Sequence, residues 1–82
     1  MSILYVVATP LGNLEDLTFR AARILCEVPT VVAEDPRHTK KLLVHLGASP
    51  RLIGYRKHSS ESREDAILER LRAGDVALVV DG

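Results

Sequence analysis

Short apolar runs alternate with longer stretches of helical spacing along the whole chain. Ile3 to Ala8 is a β-branched run bounded by Thr9-Pro10, which reads as a first strand. Leu14 to Glu27 then sets Leu14, Leu17, Ala21, Ile24 and Leu25 at helical spacing, with Val28 following. Asn13 is placed to cap this helix, and Glu15 and Asp16 fall in its first turn, where carboxylates favour the helix dipole. Pro29 lies beyond its end, as helix-stop chemistry requires. Thr30 to Ala33 reads as a second strand, and Arg37 to Leu46 as a second helix closed by Gly47. Leu52 to Tyr55 is a third, shorter strand. Glu61 to Ala73 is a third helix, with Ala66, Ile67 and Leu71 on one face and Gly74 ending it, and Asp75 to Val80 is a fourth strand.

The order is β-α-β-α-β-α-β with short connections, and the strands are continuously apolar rather than alternating. That combination predicts a three-layer α/β fold, with a mostly parallel four-stranded sheet and helices on both faces. The crossovers should be right-handed. Eighty-two residues make a single domain with a thin core, burying about 60–65% of the surface the unfolded chain exposes. The sequence runs to Val80-Asp81-Gly82, directly after a strand and where a βα loop should begin. The expectation is that residues 1–82 form one α/β domain that is part of a longer protein.

Composition adjusts this picture only slightly. Apolar residues at 46% and charged residues at 27% suit a globular domain, not a disordered tail. Aromatic residues are 4% of the chain, too few for an extended base-stacking platform. The formal net charge is zero, so any grip on nucleic acid must come from local Arg and Lys clusters. Cys26 is the single cysteine, excludes an intrachain disulfide, and sits among apolar residues where a small buried side chain is expected. The N-terminus lacks the regions of a signal peptide, and no apolar run approaches the ~20 residues of a membrane span. A cytoplasmic protein without a membrane partner is expected.

In a parallel α/β sheet, ligands bind outside the carboxyl ends of the strands. Four segments fall there: Thr9 to Asn13, Glu34 to Thr39, Tyr55 to Ser60, and Asp81-Gly82. The first has Gly12 alone, without G-x-G-x-x-G or G-x-x-x-x-G-K, so a dinucleotide cradle or a P-loop is not expected. Pro10 and Gly12 make a turn there. Beyond turn chemistry, the helix N-terminus that follows can face a polar ligand. The second segment, Glu34-Asp35-Pro36-Arg37-His38-Thr39, is the most informative. Two acids directly after a strand are followed by a cation and an imidazole. Asp35 capping a helix with Pro36 in its first position accounts for part of the pattern, but not for Glu34, Arg37 and His38 together. His38 and His45 lie two helical turns apart, yet no Cys pair or H-E-x-x-H accompanies them, and no metal is expected.

The strings LYVVATPLGNLEDLTFRAARIL, AEDPRHTKKLL and GDVALVVDG resemble, in order and spacing, the N-terminal part of the tetrapyrrole (corrin/porphyrin) methylase superfamily. Within it, A-T-P-x-G-N-L-x-D and A-E-D-x-R-H-T are similar to the bacterial branch that methylates cytidine 2′-hydroxyls of small-subunit ribosomal RNA. Corrin enzymes carry G-x-G-P-G-D-P at the first loop. The resemblance implies a class III methyltransferase-like fold of two domains, with S-adenosylmethionine in the cleft between them, usually as a homodimer. Residues 1–82 would be its N-terminal α/β domain, truncated before the last strand of its sheet and without the second domain, and such a sheet keeps an open edge that invites dimerisation. It implies ribosomal RNA in the small subunit as substrate and partner. Asp81 and Gly82 would belong to the cofactor cleft, where the family continues D-A-G-T-P; Gly82 stands in place of the usual Ala, and Pro36 in place of the usual Thr. Glu34, Asp35 and His38 become candidates for the base that deprotonates the ribose hydroxyl, with Arg37 holding a phosphate or orienting an acid. Thr9, Pro10, Gly12 and Asn13 would form the substrate side. The chain alone should not catalyse. The other readings are a corrin or porphyrin C-methyltransferase and a non-catalytic α/β interaction module.

Overall fold

The computed structural model describes residues 1–10, 14–55 and 63–81. Four strands, β1 (Leu4–Thr9), β2 (Thr30–Ala33), β3 (Arg51–Gly54) and β4 (Val76–Asp81), alternate with three α-helices, α1 (Phe19–Glu27), α2 (Pro36–Leu46) and α3 (Arg63–Leu71). The strands form one sheet in the order β1-β4-β2-β3, and each of its pairings is parallel. The last strand in sequence therefore lies between the first two. Val31 faces Ala77 of β4 on one side and Leu52 of β3 on the other.

The period-two geometry of a strand sends successive side chains to opposite faces, and both faces of the central strands are covered. Val7, Val31, Ala33, Ala77 and Val79 pack with Ala21, Ile24, Leu25, Leu42 and Leu43 of α1 and α2. Val32, Val76 and Leu78 pack with Ile67 of α3 on the other side. Travel from β1 to β2 to β3 runs one way across the sheet with both helices on one face. The return to β4 reverses direction, and α3 lies on the opposite face. A constant crossover hand requires that switch. The three-layer α/β fold expected from the sequence is the one that forms.

β1 is an edge strand, with β4 as its one partner among the described residues. Leu4 and Val6, on its α3-side face, remain exposed, Val6 by 58%. Leu4 borders a shallow apolar cavity of about 340 Å³ shared with Ile67, Leu68, Leu71 and Leu78.

Two local expectations change. The helix expected over Leu14 to Glu27 breaks into a 3-10 turn, Leu14–Asp16, and α1 proper. Thr18 takes an extended conformation and its side chain accepts from the Ala21 amide at 3.0 Å, so Thr18 caps α1. Glu15 and Asp16 consequently lie in the 3-10 turn and not in the first turn of α1. The expected cap, Asn13, lies outside the described residues. Cys26 is exposed, because the buried stripe of α1 runs through Ala21, Ile24, Leu25 and then Val28, leaving position 26 on its flank. Its Sγ lies 4.0 Å from the Leu46 carbonyl oxygen, where α1 meets α2.

α2 forms as its sequence dictates. The Asp35 carboxylate accepts from the amides of Arg37 and His38, Pro36 occupies the first turn, and Gly47 closes the helix at φ 70°, a left-handed conformation that favours glycine. At the same end, β3 approaches so closely that a Cβ on Gly54 would sit 2.8 Å from Pro36 Cγ.

Leu25 is fully buried between α1 and the sheet, so Leu25→Ala should cost about 2–5 kcal/mol in chemical denaturation, whereas Val6→Lys on the exposed face should cost less than about 0.5. Gly54→Ala must displace the Pro36 ring, and a loss of about 1–3 kcal/mol is expected in the same measurement.

Candidate functional site

Parallel strands put all their carboxyl ends on one edge of the sheet, and a pocket of about 200 Å³ lies on that edge. It is lined by Ala33, Glu34 and Asp35 at the end of β2, Val79 and Val80 of β4, Tyr55 just beyond β3, and Thr39 of α2. The residues come from distant parts of the sequence. They meet because Thr30–Ala33 pairs in register with Val76–Val79 on one side and with Arg51–Gly54 on the other.

Two adjacent carboxylates enter this pocket in different states. Asp35 Oδ1 accepts from the amides of Arg37 at 3.2 Å and His38 at 3.4 Å, so it is held by the helix terminus it caps. Glu34 is exposed at the pocket wall and makes no hydrogen bond or ion pair among the described residues. Of the two, Glu34 is the one that no hydrogen bond among the described residues holds.

The other expected residues separate. Arg37, in the first turn of α2, is exposed and does not line the pocket. His38 is half-buried, also outside the lining, and its Nε2 is buried without a hydrogen-bond partner. A buried imidazole nitrogen without a partner is costly, so His38 stands out among the polar groups near this edge. Thr9 is 2% exposed at the end of β1, and its hydroxyl donates to the Val80 carbonyl at 3.5 Å. Pro10 is half-buried beside it. Gly12, Asn13, Gly82 and the side chain of Asp81 lie outside the described residues, although the backbone of β4 reaches Asp81 opposite Thr9.

Tyr55 and Thr39 line the pocket but are not among the candidates named from sequence. Tyr55 had a legible signal, since it directly follows β3 at the edge where ligands bind. Thr39 reads as an ordinary helix residue and becomes a wall residue only when α2 packs down on the sheet. Among the described residues, no group of three His, Cys, Asp or Glu is arranged to hold a metal ion. No helix among them is long and apolar enough to cross a membrane.

A pocket of this size is below the roughly 300–1,000 Å³ of whole ligand sites, so it is at most part of one. Comparison with known proteins gives this arrangement a context. The sequence profile of the tetrapyrrole (corrin/porphyrin) methylases matches residues 3–82. The chain is 48% identical over 79 residues to ribosomal RNA small subunit methyltransferase I of Halalkalibacterium halodurans, covering 95% of this chain and 27% of that protein. It is 48% identical over 82 residues to the protein of the same name from Bacillus subtilis, covering 99% of this chain and 28% of the relative. The Escherichia coli O157:H7 protein of that name is 43% identical over 79 residues, 95% of this chain and 28% of its own length. The chain thus spans little more than a quarter of the relatives it matches. With a match over nearly all its residues, the chain belongs to the tetrapyrrole (corrin/porphyrin) methylase family.

Proposed function

We propose that the chain is the N-terminal part of an S-adenosylmethionine-dependent methyltransferase that 2′-O-methylates a cytidine ribose of small-subunit ribosomal RNA. The longer protein would work in the cytoplasm as a homodimer. The observation that carries this reading is the split between the two carboxylates after β2. Asp35 is occupied by the α2 amides, while Glu34 stands unbonded at the pocket wall. The names of the relatives support RNA as the acceptor.

Methylating a ribose hydroxyl requires an acceptor oxygen aligned with the methyl group and a base to take its proton. S-adenosylmethionine, when bound, supplies an electrophilic methyl on a sulfonium. Glu34 is the base in this reading: its carboxylate takes the hydroxyl proton as the oxygen–methyl bond forms. Asp35 acts as a positioning residue. By fixing the start of α2 it holds the backbone from which Glu34 projects. The phenol of Tyr55 lines the same wall, within the pocket that would seat the ribose. Arg37, exposed one turn from the pocket, would hold an RNA phosphate bidentately, and His38 Nε2 awaits a partner from the bound RNA or from the rest of the longer protein. Thr9 and Pro10, with Gly12 and Asn13, would floor the substrate side. Asp81 and Gly82 would contribute to the cofactor cleft, most of which would lie in the longer chain.

The test is to incubate the full-length protein with methyl-labelled S-adenosylmethionine and small ribosomal subunits from cells lacking the enzyme, then digest the RNA. Label in a 2′-O-methylated cytidine is expected. Label in no RNA, with cofactor still bound, would redirect the reading to a tetrapyrrole acceptor. Glu34→Gln should lower the single-turnover rate by at least ~100-fold with cofactor affinity unchanged, as loss of a general base does. Asp35→Asn keeps the cap and should leave most activity, whereas Asp35→Ala should lose about 1 kcal/mol of stability. In isolation the 82-residue chain should show no saturable micromolar binding of S-adenosylmethionine by calorimetry, and such binding would contradict a cleft shared with the rest of the protein.

A further inference from the structure

The formal charge of zero conceals a segregation. α2 carries Arg37, Lys40 and Lys41 without a single acidic residue, and α1 carries Arg20 and Arg23 against Glu27 alone, at its far end. The sequence of α3, across the sheet, is mixed instead, with Glu64, Asp65 and Glu69 as well as Arg63 and Arg70. All five cations are exposed, and none pairs with a carboxylate among the described residues. Helical geometry turns them outward. Arg23 and Lys41 each lie about 200° round the helix from the buried Ala21 and Thr39. α1 and α2 sit side by side on one face, joined where Cys26 meets the Leu46 carbonyl.

Phe19 is a separate anomaly. It opens α1 at 97% exposure, so its ring gains nothing from the fold, and one helical turn later comes Arg23. In a chain with three aromatic residues, a fully exposed ring among cations is a stacking surface for a base. Both helices run antiparallel to the strands, so Phe19, Arg20 and Arg37 stand at the sheet edge that holds the pocket. Glu15 and Asp16 in the neighbouring turn bound the stripe with negative charge.

We infer that the outer surface of α1 and α2 is a docking track for single-stranded RNA, which the five cations hold by its phosphates and Phe19 by one unstacked base. This deepens the RNA reading of the site and rests on it. The track delivers the strand to the pocket edge without reading its sequence.

The test measures binding of a fluorescein-labelled, cytidine-rich single-stranded RNA to the full-length protein across a salt series, with methyl transfer to small subunits read separately. The paired reversal Lys40→Glu with Lys41→Glu should weaken binding at least tenfold near ~0.1 M salt. The slope of log affinity against log salt should shrink by about 0.7 for each phosphate the variant no longer neutralises. Phe19→Ala should weaken binding by about fivefold to tenfold with the slope unchanged, and Phe19→Trp should restore it. Arg51→Glu with Arg72→Glu, an equal charge change away from these helices, should stay within twofold. Equal effects of the two reversals, with methylation of RNA intact, would overturn the track and leave the proposed activity standing. A lowered melting temperature for Phe19→Ala with unchanged RNA affinity would assign the ring to a protein interface and also overturn it. No RNA binding by the unaltered protein would overturn the track, and only if methyl transfer to small subunits were also absent would the RNA reading fall with it.

Discussion

The pairing of β2 with β4 is the constraint on which the remainder of this small domain depends. Thr30–Ala33 is buried at every residue, and its register with Val76–Val79 joins segments more than forty residues apart. Being parallel, the two strands require crossovers, and the crossovers are the helices that supply both outer layers. The same requirement sends every strand's carboxyl end to one edge. Core and candidate site are therefore two consequences of a single pairing: shift it by one residue and the Val31 and Val32 faces exchange, while Glu34 leaves the wall it shares with Val79 and Val80.

At that edge, capping and chemistry compete for the same residue types. Asp35 and Glu34 are adjacent acids, and the start of α2 resolves which is structural. Helix N-termini leave amides unpaired, and the shorter Asp side chain reaches back to two of them. Glu34, the last residue before the turn, has no such duty. Gly54 matters for a related reason, since only a residue without a side chain lets β3 pass the Pro36 ring that anchors this turn.

Most of the architecture was legible because it rests on period and punctuation. Thr30 to Ala33 reads as a strand because it is β-branched and bounded by Pro29 and Glu34, and α2 reads as a helix because Asp35, Pro36 and Gly47 mark both ends. The start of α1 was not legible in the same way: Leu14 and Leu17 keep helical spacing, and only the Thr18 cap ends one turn and begins another. Cys26 misled through its apolar neighbours, whereas its angle from Leu25 determines its exposure. The pocket was legible as an edge and as a cluster of polar residues. Tyr55 was legible by its place directly after β3, but which carboxylate stays free, and that Thr39 joins the wall, depends on side-chain reach and helix packing, which a linear pattern does not carry.

The most direct measurement is a crystal structure of the full-length protein with a cytidine-containing RNA fragment and S-adenosylhomocysteine. The present account predicts a ribose seated against Glu34 and Tyr55, with a Glu34 carboxylate oxygen about 2.6–3.2 Å from the acceptor 2′-oxygen or one water removed. A ribose bound elsewhere, with Glu34 paired to another protein group and distant from the 2′-oxygen, would contradict it.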